Sequence, residues 1–180
     1  LRAWFIATMI KHYGGIPLIE DRVYTENDKI DVPRSTYGES VKYAVDQCDS
    51  AFYYLERSGH IYSQGTVNPV GSIHGKSEGR ACGMAALALK ARILLYGDYD
   101  AARWKTAYDA VKRFIDLNNA NSWYELRPGQ KDNTTAAKSW WPRFYYAFMH
   151  DAVTNKEPIF CDFLSNEQGD SQNRVALDLS

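Results

Sequence analysis

The 180-residue chain reads as an all-α fold, and three observations predict it. Apolar residues recur at helical spacing in separate stretches. One stretch, residues 79–100, is dominated by alanine and leucine and reads as a buried helix, a tight turn and the start of a second helix. The helical stretches alternate with long polar segments rich in Gly, Ser, Asn and Pro, so the expected form is a helical scaffold carrying inserted loops.

In chain order, Leu1, Trp4, Phe5, Met9 and Tyr13 predict a helix over residues 1–13 with one buried face. Gly14-Gly15 and then Pro17 end it, and residues 16–20 read as extended. Residues 21–33 are polar and irregular. Thr36 and Glu39 have the spacing of a capping box, in which each side chain takes one orphan backbone N–H. Val41, Val45, Cys48, Phe52 and Leu55 then mark a long amphipathic helix ending near Gly59. Residues 60–78 form a loop long enough for a functional or interface role.

The alanine-rich helix is expected over about 80–96. Small side chains at a helix contact let the axes approach, so this stretch reads as scaffold. The short turn Gly97-Asp98-Tyr99-Asp100 makes the next helix antiparallel, and Trp104, Tyr108, Val111, Phe114 and Ile115 mark that helix. The turn resembles the inter-helix turn of tetratricopeptide repeats. Residues 118–138 read as polar loop. Residues 139–150 read as an aromatic-rich helix or irregular segment, and residues 155–163 end in a short apolar run.

Composition excludes several classes of function. Formal net charge is -1 and charged residues make up 24%, so no basic face for nucleic acid is indicated. The three cysteines, Cys48, Cys82 and Cys161, are far apart and form no C-x-x-C pair, which argues against a zinc or thioredoxin-like centre. Cys48 and Cys82 read as buried free thiols. His12, His60, His74 and His150 are dispersed, with no H-E-x-x-H, so no metal site is expected. Asp46 and Asp49 lie i, i+3 on a helix and read as a solvated face, not the facing carboxylate pair of a glycosidase. No G-x-S-x-G and no phosphate loop occur. The chain opens inside an amphipathic pattern and stops without a closing signal, so it reads as one piece, residues 1–180, of a longer protein.

Four separated segments are similar, in order, to the SusD/RagB family of nutrient-binding outer-membrane lipoproteins. They are Leu1-Arg2-Ala3 with Tyr13-Gly14-Gly15-Ile16-Pro17-Leu18; Pro33-Arg34-Ser35-Thr36 leading into a helix; Gly79-Arg80-Ala81 with Ala85 to Arg92; and Asn155-Lys156-Glu157-Pro158-Ile159-Phe160. Cys82, Gly83 and Met84 depart from the usual pattern at the start of the alanine-rich helix. The resemblance implies an all-α, tetratricopeptide-like scaffold with long inserted loops. It implies a lipid-anchored, non-catalytic protein on the outer face of the outer membrane. Such a protein binds a glycan, or in some members a peptide, and closes over a TonB-dependent (SusC-like) transporter. No cofactor is implied. No binding residue transfers by motif, because family ligand contacts come largely from outside this region.

The residues themselves suggest where a ligand would sit. A sugar presents an apolar C–H face that packs on aromatic rings, while neighbouring polar groups bond its hydroxyls. Trp140, Trp141, Arg143 and Tyr145 fit that role, with core packing of Phe144 and Phe148 as the structural alternative. Trp123 and Tyr124, in a loop flanked by Asn and Ser, are the second candidate pair, unless they tuck back onto the fold. Arg34, Arg80, Lys90 and Arg92 read as structural, with Arg80 expected to fasten the 60–78 loop. A helical-repeat scaffold that binds only protein is the remaining alternative.

Overall fold

The computed structural model describes residues 1–19, 21–62, 81–96, 100–125 and 159, and everything below concerns these. Four helices run in order: α1 (Arg2–Tyr13), α2 (Tyr37–Arg57), α3 (Gly83–Leu95) and α4 (Ala101–Asn121). Each packs on the next. Among the described residues there is no strand, and no helix is long and apolar enough to cross a membrane.

Helix α1 ends at Gly14, whose φ of 72° and ψ of -137° suit only glycine. The chain then turns so that Ser35 N–H donates to the Ile16 carbonyl at 3.1 Å. Ile16 N–H donates to the fully buried Ser40 Oγ at 3.1 Å. Arg34 donates from its guanidinium to the carbonyls of Gly15 and Tyr13. The Y-G-G-I-P turn is thereby tied to the start of α2. There the capping box is complete: Glu39 N–H donates to Thr36 Oγ1 at 3.2 Å, and Thr36 N–H donates to Glu39 Oε2 at 2.8 Å.

The alanine-rich helix starts at Gly83, three residues later than expected. Cys82 is extended, with φ -118° and ψ 172°, and gives no side-chain cap. The orphan donors of the first turn instead reach the chain that leaves α2: Gly83 N–H donates to the His60 carbonyl and Met84 N–H to that of Ile61. Glycine suits position 83, since a Cβ there would lie 3.2 Å from Ile61 Cα, a tight contact with backbone. The departures at 82–84 are therefore the docking point for residues 60–61.

Helices α3 and α4 are antiparallel, because the start of α3 meets the end of α4: Cys82 Sγ lies 3.7 Å from the Tyr124 hydroxyl. Asp100 caps α4 by accepting from the N–H groups of Ala102 and Arg103. Helix α4 runs to Asn121, into the stretch expected to be loop. Its polar C-terminus is an end device: Asn118 Nδ2 donates to the Tyr124 carbonyl, while its Oδ1 accepts from Tyr124 N–H.

Two apolar clusters form the core. One joins Ala3, Ile6, Ile10 and Ile16 to Val41, Ala44, Cys48, Ile93, Leu94 and Ala107. The other joins Phe52 to Cys82, Met84 and Leu87. The buried faces of α1 and α4 differ from expectation. Helix α1 buries Ala3, Ile6 and Ile10, while Phe5 and Tyr13 are 61% and 69% exposed. Helix α4 buries Ala107 and Ala110, while Trp104, Tyr108, Val111 and Ile115 are exposed. In both helices the smaller residues make the close contact, and the larger ones line a second apolar stripe.

Candidate ligand-binding site

Trp123 and Tyr124 follow α4 and are half-buried. Trp123 stacks on Tyr62 with ring centroids 5.1 Å apart and planes at 8°. Tyr62 donates its hydroxyl to the Trp123 carbonyl at 3.1 Å. Tyr124 packs on Phe114, centroids 5.4 Å apart, and meets Tyr62 edge-on. Burial raises the Tyr62 phenol above its ordinary value, with a smaller contribution from Cys82. One face of the Trp123 indole is thus already covered by a protein ring. Trp140, Trp141, Arg143 and Tyr145 lie outside the described residues, as do Arg80 and most of the 60–78 loop.

A second aromatic site was not read from the sequence. A half-open cavity of about 330 Å³ lies between α1 and the C-terminal half of α3. From α1, Trp4, Thr8 and Lys11 face it; from α3, Leu89, Arg92 and Tyr96. Both sets recur every three or four residues, so each helix presents one continuous stripe. Tyr37, at the start of α2, closes one side, and Ile10 and Ile93 are the buried floor. Lys11 Nζ lies 5.8 Å from the centre of the Tyr96 ring. The volume is at the lower end of small-ligand sites, which run from roughly 300 to 1,000 Å³.

The basic residues expected to be structural divide in two. Arg34 fastens the turn after α1, and Lys90, its side chain 15% exposed, pairs with Asp49 at 2.6 Å. Arg92 behaves differently: half-buried on the cavity wall, it makes no hydrogen bond or ion pair among the described residues. The only signal for it in the sequence is its spacing from Leu89 and Tyr96.

Asp46 pairs with Lys42 at 2.5 Å and Asp49 with Lys90, so both helix carboxylates are engaged by lysines. Cys48 and Cys82 are buried free thiols. Burial, and then the neighbouring Asp49, push the Cys48 thiol up to about 12. Among the described residues no cluster of His, Cys, Asp or Glu could hold a metal ion.

The geometry defines a class: successive helices, the last two an antiparallel hairpin, with small residues at the contacts and aromatic stripes left open. Comparison with solved structures narrows it. The chain is similar to the crystal structure of a SusD-like protein from Bacteroides fragilis NCTC 9343, with a TM-score of 0.62 and 25% identity over 92% of this chain. Its fold is SusD-like, the fold that the resemblance of the four sequence segments implied. It spans 26% of the length of that protein. No family model and no curated protein matches the sequence.

Proposed function

We propose that this chain is the helical scaffold of a non-catalytic, glycan-binding surface lipoprotein that passes oligosaccharide to a TonB-dependent outer-membrane transporter. The observation that carries this reading is the SusD-like fold over 92% of the chain, joined to the ordered sequence segments that resemble the same family. Binding would combine ring stacking with hydrogen bonds to hydroxyls and would need no cofactor. Trp140, Trp141, Arg143 and Tyr145 are proposed as ligand contacts, and Trp123 and Tyr124 as a second set.

Native affinity electrophoresis of the full-length protein, through gels cast with a panel of polysaccharides and host glycans, tests the reading. Retardation by one glycan supports it, and Trp140→Ala with Trp141→Ala should then reduce the retardation. No retardation in any gel would overturn it in favour of peptide cargo or a protein-binding scaffold, which co-purifying peptides would separate.

A further inference from the structure

We propose that the cavity between α1 and α3 is a subsite for an acidic sugar, its carboxylate or sulfate held by Arg92 and Lys11 and its ring lying against Trp4, Tyr37 and Tyr96. This rests on the glycan-binding reading and names the class of glycan. Three observations carry it.

The first is the state of Arg92. A guanidinium offers five donors in a rigid fork that fits carboxylate or sulfate oxygens two at a time. Arg92 is half-buried as a residue on the cavity wall, and its guanidinium donors stay available to a ligand in the cavity. Arg2, Arg34 and Arg113 all have partners in the described structure, whereas Arg92, which has none, faces the cavity.

The second is charge. The cavity is lined by Lys11, His12 and Arg92 and by no carboxylate among the described residues. The C-terminal ends of α1 and α3 point partial negative charge here, roughly half a unit each. Lys11 and Arg92 are full charges against these partial ones, and no described carboxylate lines the cavity to offset them. A lining richer in donors than acceptors suits an acceptor-rich anionic group better than a neutral sugar, whose hydroxyls must also donate.

The third is shape. Trp4 and Tyr37 are half-buried and Tyr96 is exposed around a space that admits a sugar ring or two. Indole and phenol rings present the flat apolar surface that a pyranose C–H face packs against.

The test is isothermal titration calorimetry of the full-length protein with four probes: oligogalacturonate, sialyllactose, a heparin-derived oligosaccharide and a neutral maltooligosaccharide. The expected result is binding of at least one acidic probe. Arg92→Gln should weaken it about ten-fold or more, the size of a lost charge-assisted hydrogen bond. Lys11→Gln, at an exposed position, is the second variant and should weaken it several-fold with an unchanged melting temperature. Preference among the acidic probes separates carboxylate from sulfate. Binding of an acidic probe that neither variant weakens overturns this subsite. Binding of the neutral probe alone also overturns it while the glycan reading stands. Absence of binding to all four, together with no retardation in the gels, removes both.

Discussion

Replacing Gly15 by alanine should destabilise the protein far more than its half-buried position in a turn suggests. A Cβ on Gly15 would fall inside the van der Waals shell of the Ser35 carbonyl oxygen, 2.8 Å from Thr36 C and 3.0 Å from Tyr37 N. All three are backbone atoms, so no rotamer change relieves the clash and the two strands of chain must separate. Separation lengthens Ser35 N–H to Ile16 O and Ile16 N–H to Ser40 Oγ, both now 3.1 Å, and the second is buried. Overpacking costs about 1–3 kcal/mol, and an orphaned buried donor about as much again. The expected loss is roughly 2–6 kcal/mol. Gly38→Ala is the control of opposite sign: nothing lies within 4 Å of its Cβ position and it sits in the first turn of α2. Alanine there should stabilise by about 0.5–1 kcal/mol. Urea unfolding of the full-length protein, with midpoints compared at equal slope, measures both. A Gly15→Ala midpoint equal to or above wild type would show that the turn does not approach α2 this closely.

Further predictions concern three local devices. Thr36→Ala removes the N-cap of α2 and should cost about 1 kcal/mol in the same unfolding assay. Glu39 accepts from the Thr36 hydroxyl and then from its N–H, which hold its carboxyl below the ordinary 4.5. Its contribution is complete above that value and is lost as pH falls through the lower, folded value, so Glu39→Gln should flatten the stability profile below about pH 4.5. Iodoacetamide at pH 8 should leave Cys48 unmodified in the native protein and label it in urea, read by peptide mass spectrometry; complete native labelling would contradict its burial and raised pKa. Asp49→Asn strands a mostly buried ammonium and should cost roughly 1–3 kcal/mol, whereas Lys90→Met, which removes the charge, should cost less.

The elements most legible in the sequence were those fixed by local chemistry. Thr36 with Glu39 and Gly14 after Tyr13 each act within a few residues, and the structure uses both as read. The faces of α1 and α4 were misread because helical periodicity identifies stripes without ranking them. Trp104, Tyr108, Val111 and Ile115 form a better apolar stripe by hydrophobicity than Ala107 and Ala110. Contact with α3 selects the alanines, since small side chains permit close approach. The start of α3 was misplaced for a related reason: Cys82 offers no capping oxygen, and the donors of Gly83 and Met84 are met by carbonyls more than twenty residues earlier. Such a cap is tertiary and leaves no local signal.

The same distinction accounts for the candidate site. Arg92 belongs to a run of Ala, Leu and Lys that reads as scaffold, and most of that run is scaffold: Leu87, Ala91 and Leu94 are core. A helix that packs on one neighbour along one stripe has room for a different stripe to face another. Leu89, Arg92 and Tyr96 are displaced from the core positions by a residue or two, which turns them toward α1. What makes that second stripe a cavity and not a contact is the matching stripe on α1. There Ala7 and Thr8 are short between Trp4 and Lys11, so the helices meet at Ile10 and Ile93 and part above them. A larger residue at Ala7 should therefore reduce ligand binding at the subsite without unfolding the hairpin of α3 and α4. Ala7→Leu, with melting temperature measured beside binding of the best acidic probe, separates the two effects. Loss of binding with an unchanged melting temperature is expected, and unchanged binding would place the ligand elsewhere on the protein.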